Sequence, residues 1–146
     1  MQKLNFPEYQ FRFKSKENKR LIFDGIRKKF IILTPEEWVR QHVINYLVLD
    51  KKYPASHLSI EKQLKLHKTV KRYDILVYNR DGGVELIVEC KAPGIKISQN
   101  TFDQIARYNY VLRANLLMVT NGLDHYFCKM DFETEKYEFI KELPLI

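Results

Sequence analysis

Apolar and polar residues are distributed along this chain in runs that mark short strands and two helices. Leu21-Ile22-Phe23 and Phe30-Ile31-Ile32-Leu33 flank Asp24-Gly25, the pattern of a hairpin. Thr34 then caps a helix. Pro35 suits its first position, where no backbone N–H is needed, and apolar residues continue to Val48 or Leu49. After a break at 53–56, Leu58, Ile60, Leu64 and Leu66 alternate with Ser59, Glu61, Gln63 and Lys65. That period of two predicts a strand, and Lys62 on its apolar side places it near an edge or a ligand. Residues 73–78 and 84–91 read as two strands around the turn Asn79-Arg80-Asp81-Gly82-Gly83. A second helix opens at Ser98 or Gln99 and runs to Arg113. The stretch 115–120 is nearly continuously apolar, as in a strand buried on both faces. Asn121-Gly122 and residues 132–135 turn the chain into strands at 124–130 and 136–140.

The order is hairpin, helix, three strands, helix, then two or three strands. This predicts an α/β (α+β) domain with a mixed central sheet between two helices and an N-terminal β-hairpin extension. Residues 1–18 read as an irregular arm, and no repeat or low-complexity segment is present. The expected division is a basic N-terminal arm at 1–20 and a single domain at 21–146.

Charge alters the picture at one end only. The net charge is +7. Residues 1–33 hold nine Lys or Arg against three Asp or Glu, and the remaining residues are nearly balanced. A phosphate backbone is the natural partner of such a segment, and a solvated hairpin is the plainer reading. At 146 residues the chain has room for one core and no ATP-driven motor, and no phosphate-binding Gly-x-x-x-x-Gly-Lys loop occurs. The first eight residues lack an apolar signal region, and no apolar run reaches membrane length, so a cytoplasmic protein is expected. Cys90 and Cys128 are expected as buried free thiols. His42, His57, His67 and His125 show no ligand spacing and receive no role.

The chemistry centres on Asp74 and Glu89-x-Lys91. Asp74 lies on the first strand of the 73–91 hairpin with Leu76 and Tyr78 expected on its face, and Glu89 and Lys91 end the second strand on a common face. Two carboxylates suit a hard cation such as Mg²⁺ or Mn²⁺, with the backbone carbonyl of Cys90 as a further ligand, and a lysine beside them can orient an attacking water. Lys91 has a second reading as the salt-bridge partner of a buried Glu89. Glu37 completes a capping box with Thr34, and it or Glu36 could instead reach the metal. Lys62, Lys65, Lys68, Lys71 and Arg72 lead into Asp74 with no acid between them, as a phosphate-tracking flank or a solvated loop. Arg40, Lys96 and Arg107 are further candidate phosphate contacts.

An acid, a hairpin, Glu-x-Lys and a following helix with Gln104-Ile105-Ala106-Arg107-Tyr108 together resemble the PD-(D/E)XK nuclease superfamily, whose RecB-like members carry Gln-x-x-x-Tyr. Phe23-Asp24-Gly25-Ile26-Arg27, Leu33-Thr34-Pro35-Glu36-Glu37-Trp38, Lys71-Arg72-Tyr73-Asp74, Val88-Glu89-Cys90-Lys91-Ala92-Pro93, Phe102-Asp103-Gln104 and Val119-Thr120-Asn121-Gly122 resemble the N-terminal nuclease domain of type I restriction enzyme R subunits. The likeness is to the short proteins that carry only that domain. It implies a restriction-endonuclease-like fold and a Mg²⁺-dependent nuclease acting on DNA. Asp74, Glu89, Lys91, Gln104 and Tyr108 would be its catalytic residues, with Glu37 near the metal. Separate motor or specificity subunits would be partners. A catalytically silent binding or assembly module and an RNA-directed nuclease are the alternatives.

Overall fold

The computed structural model describes residues 1–66 and 68–145, with the backbone alone at Leu66. Three short strands come first: β1 (Phe13–Lys16), β2 (Lys19–Asp24) and β3 (Lys29–Ile32), antiparallel in the order β1-β2-β3. The expected hairpin is therefore a three-stranded sheet, because β1 lies within the stretch read as an irregular arm. Within β1 itself, Phe13 is the one apolar residue among Lys14, Ser15 and Lys16, too little to signal a strand without its partner.

Helix α1 (Pro35–Asn45) begins where the sequence places it. Thr34 accepts a hydrogen bond from the Glu37 backbone N–H at 3.0 Å, and Pro35 occupies the first turn. The helix continues through a π turn at Tyr46–Asp50. Then come β4 (Leu58–Leu66), β5 (Thr69–Tyr78), β6 (Val84–Cys90), α2 (Gln99–Leu112), β7 (Leu116–Thr120), β8 (His125–Asp131) and β9 (Lys136–Ile140). These strands form one mixed sheet in sequence order. Only β6 and β7 run parallel, and α2 makes the crossover between them. Among the described residues no helix is long and apolar enough to cross a membrane.

The sheet separates two cores. Val39, Val43 and Leu47 pack over Ile75, Val77, Val88 and Met118 on one face. Phe102 and Ala106 of α2 pack over Leu76, Ile87, Leu117 and Val119 on the other. The alternation along β5 and β6 thus feeds both faces, as a central sheet between two helices requires. Residues 1–12 are docked rather than loose. Leu4 is buried in the α1-side core, Asn5 N–H donates to the Gly122 carbonyl at 2.8 Å, and the Trp38 indole donates to the Gln2 carbonyl at 2.7 Å. Gly122 permits this approach. Its φ is +87°, and a Cβ there would lie 2.9 Å from Leu4 and 3.0 Å from Val39.

Candidate active site

Three acids meet where the central strands part. Ile60 pairs with Ile75 and Lys62 with Tyr73, so Glu61 lies across from Asp74. The β5–β6 ladder ends at Ile75 and Val88, and the next position brings Asp74 opposite Glu89. There the Cys90 backbone N–H donates to Asp74 Oδ2 at 2.7 Å, so a side chain takes the place of the next ladder bond.

The same row is where two strands exchange faces. Ile75 belongs to the α1-side core and Tyr73 to the α2-side core. Likewise Ile60 packs on the α1 side and Leu64 on the α2 side. Strict alternation would keep each pair together. Glu61 has φ +53°, a left-handed conformation rare for a non-glycine residue, which turns the ribbon at that point. Leu76 and Tyr78 share the α2-side face as expected, but Asp74 does not simply follow them. It sits at the exchange, and its Oδ1 accepts from Arg40 of α1.

Two arginines bind the acids together. Arg40 Nη2 is 2.9 Å from both Asp74 Oδ1 and Glu36 Oε1, and Nη1 is 2.7 Å from Glu37 Oε1. Burial works against its charge, yet Glu37 and Asp74 outweigh burial and hold the guanidinium protonated. Arg27, from the β2–β3 turn, reaches Asp24 at 2.6 Å, Glu37 at 2.9 Å and Glu61 at 3.4 Å. Asp24 also accepts from the Ile26 and Arg27 backbone N–H groups, which shapes the turn that aims Arg27. Burial raises its carboxyl, but the hydrogen bonds from Arg27 win and hold it below the usual range.

Glu89 is the exception. It is 7% exposed, and its Oε1 has no hydrogen-bond partner among the described residues. Burial first, then the Asp74 carboxylate, push its carboxyl well above the usual range, while Lys71 and Lys91 pull the other way. The cation nearest to it is Lys71, at 3.9 Å. Lys91 forms no ion pair among the described residues, although its charge is felt by both Glu89 and Glu36. The salt-bridge reading of Lys91 thus belongs to Lys71 instead. Lys91 directly follows the last residue of β6, and its backbone N–H still donates to the Thr120 carbonyl of β7 at 2.8 Å.

Could these residues hold a divalent cation? Among the described residues no group of three or more His, Cys, Asp or Glu side chains is placed so that it could hold a metal ion by itself. The donors are nonetheless hard oxygens. With every carboxylate ionised, Asp24, Glu36, Glu37, Glu61, Asp74 and Glu89 exceed Arg27, Arg40, Lys71 and Lys91 by two negative charges. A buried carboxylate oxygen with no hydrogen-bond partner among the described residues, beside a second carboxylate, is the local feature that a Mg²⁺ with several waters would satisfy. Glu37 already uses both oxygens, with Arg40 on one and Arg27 and Gln41 on the other. Glu36, at 46% side-chain exposure, meets Arg40 through Oε1. Burial and the nearby Asp74 raise its carboxyl. The Cys90 thiol is buried in the α1-side core, which leaves only its backbone to serve the site.

The other expected residues divide. Tyr108 joins the site through Lys71, whose ammonium lies 5.1 Å from its ring centroid. Gln104 is exposed one turn away on α2. Lys62, Arg72, Lys96 and Arg107 are exposed and form no ion pair among the described residues. His67, given no role, lies outside the described residues. The sequence reading missed Glu61, Arg27, Asp24 and Gln41. Asp24-Gly25 was visible only as a turn, and nothing local marks Glu61 as strained.

Residues 35–144 match the family model of the type I restriction enzyme R protein N terminus. A solved structure with a similar fold is described as a fragment of an HsdR subunit of a type I restriction enzyme from Vibrio vulnificus YJ016. It is 20% identical, with a TM-score of 0.51 over 77% of this chain. The match spans 24% of that structure's chain, about a quarter of its length. No curated protein matches the sequence.

Proposed function

Because the chain belongs to the family of type I restriction enzyme R protein N termini, we propose that it is a Mg²⁺-dependent nuclease that hydrolyses DNA phosphodiester bonds at the Glu61–Asp74–Glu89 row. The observation that carries this reading is the buried Glu89 Oε1 beside Asp74, which has no hydrogen-bond partner among the described residues and only a distant ion pair with Lys71. A buried carboxylate left in that state is costly, and its retention is accounted for by a cation that it serves.

Asp74, Glu89 and the Cys90 carbonyl would hold Mg²⁺ or Mn²⁺, with Glu36 rather than Glu37 the acid that has an oxygen to spare. Bound there, the cation would supply Lewis-acid stabilisation of charge on the scissile phosphate. Lys91 orients the attacking water, free of any ion pair among the described residues that would hold it elsewhere. Tyr108 and Lys71 form a small stack that keeps a positive charge beside Glu89. Lys62, Arg72, Lys96 and Arg107 offer exposed charges to the backbone on either side. Resemblance to the PD-(D/E)XK superfamily supports the same assignment.

One observation favours a silent binding module instead. Both Asp74 oxygens already accept hydrogen bonds, from Arg40 and from Cys90. Cleavage assays decide between the two. Purified protein is incubated with linear, circular and single-stranded DNA, with and without Mg²⁺ or Mn²⁺, alone and with a motor subunit. Wild type should cut only with the cation. Lys91→Ala should lose about 10²–10⁴ in rate while remaining folded and able to bind DNA. A folded Lys91→Ala protein that cuts like wild type removes Lys91 from the mechanism. A wild type inert under every condition makes the chain a binding module.

A further inference from the structure

The outward face of the N-terminal sheet carries an unpartnered apolar patch ringed by cations. Residues paired across antiparallel strands share a face. Leu21 pairs with Ile32 and Phe23 with Phe30, so these four lie together. The opposite face holds Ile22 and Asp24, both fully buried. None of the four outward residues belongs to either described core or packs against it, and Ile32 is 50% exposed. Lys14 lies across from Leu21 and Lys16 from Lys19, on the same outward face.

The rings of Phe23 and Phe30 are 5.2 Å apart. Both rings are half-buried, and cations lie over them. The Arg12 guanidinium lies 4.6 Å from the Phe23 centroid, and the Lys14 ammonium 5.0 Å from that of Phe30. A flat group approaching from solvent can take the place of either cation, and the displaced charge is then free for an anion beside it. A single ligand with planar aromatic faces and regularly spaced negative charge fits both halves of this surface.

We propose that this face binds single-stranded DNA, with unpaired bases stacked on Phe23 and Phe30 and phosphates held by Arg12, Lys14, Lys16 and Lys19. Stacking on aromatic rings inside a basic surface is a general means of holding an unpaired strand, and a duplex hides the base faces that it needs. The turn between β2 and β3 leads from this surface to the acid row, since Arg27 bonds Glu37 and approaches Glu61. The surface would therefore present an unpaired strand to the cleavage site. That last step rests on the nuclease reading, whereas the binding itself does not.

The test is fluorescence anisotropy with a labelled thymidine oligomer, a duplex of equal length, an abasic strand of equal length and the corresponding uridine RNA, all with chelator present so that nothing is cut. Wild type should bind the thymidine strand more tightly than the duplex, and at least about fivefold more tightly than the abasic strand. Phe23→Leu and Phe30→Leu keep the surface apolar. Each should lose preference for bases over the abasic strand with its melting temperature unchanged. If Phe→Leu variants melt early, Lys14→Gln with Lys16→Gln tests the same surface, and both strands should bind more weakly. Binding of the duplex or the abasic strand by wild type as tightly as the thymidine strand would overturn the proposal, as would undiminished base preference in folded Phe variants or tighter binding of the RNA. Cleavage of duplex DNA by wild type, measured separately with Mg²⁺, tells failure of this surface from failure of the nuclease reading.

Discussion

Glu89→Gln should stabilise the metal-free protein at neutral pH. Glu89 is almost fully buried, its Oε1 has no hydrogen-bond partner among the described residues, and Asp74 opposes its charge. Leaving a buried polar group unsatisfied costs about 1–3 kcal/mol, and more when it is charged. Lys71 offsets part of this from 3.9 Å, but its side chain is 30% exposed. Pairs of that kind contribute about 0.2–1 kcal/mol. An amide keeps the shape, needs no buried charge and can donate to Asp74. The expected gain is therefore about 1–2 kcal/mol, or roughly 3–6 °C in Tm from a melting entropy of about 2.1 cal/mol/K per residue.

The gain must depend on pH in one direction. The folded pKa of Glu89 is raised above its ordinary 4.5. Its contribution to stability is thus fully present below the unfolded value and is lost as pH rises through the folded one. Gln mimics the protonated form at every pH, so the difference between variant and wild type should be small near pH 4 and grow towards neutrality. Mn²⁺ should reverse the order. Wild type gains about 2.7 kcal/mol at a hundred times its Kd, and the variant gains less. Thermal melts from pH 4 to 8, with and without Mn²⁺, provide the measurement. A variant that melts below wild type at pH 7 would refute the reasoning, and so would a gain that ignores pH or equal Mn²⁺ stabilisation of both proteins.

Arg40→Ala should cost about 3–5 kcal/mol in urea unfolding, because it leaves Glu37 and Asp74 without the buried cation that pairs them. Gly122→Ala should cost at least about 1–3 kcal/mol, from a left-handed φ and the approach to Leu4 and Val39. Wild-type stability in that variant would show that the docked N-terminal segment is not held as described. Single-strand affinity should fall with salt, and each of Lys14→Gln and Lys16→Gln should reduce the slope of log affinity against log salt by about 0.7. An unchanged slope would remove those lysines from the contact.

The sequence alone determined those parts of the protein governed by neighbours along the chain. The start of α1 follows from Thr34-Pro35, where one cap and one ring satisfy the first turn. The strands of the central sheet follow from their period, but Asp74 comes opposite Glu89 only because the β5–β6 register slips by one residue between Val77 and Tyr78. That Asp74 and Glu89 lie on neighbouring strands was legible, and the slip that sets them opposite one another was not. The tertiary structure decided what surrounds them. Strand β1 required β2 before its few residues could pair. The exchange of faces at Glu61 and Asp74 depends on one left-handed residue, which no alternation pattern encodes. The arginine network joins Arg27 to Glu61 and Arg40 to Asp74, each across 34 positions of sequence. Lys71, not Lys91, became the partner of Glu89 for the same reason. Periodicity and turn chemistry act over a few residues, whereas a buried charge takes the counter-charge that the assembled fold brings within reach.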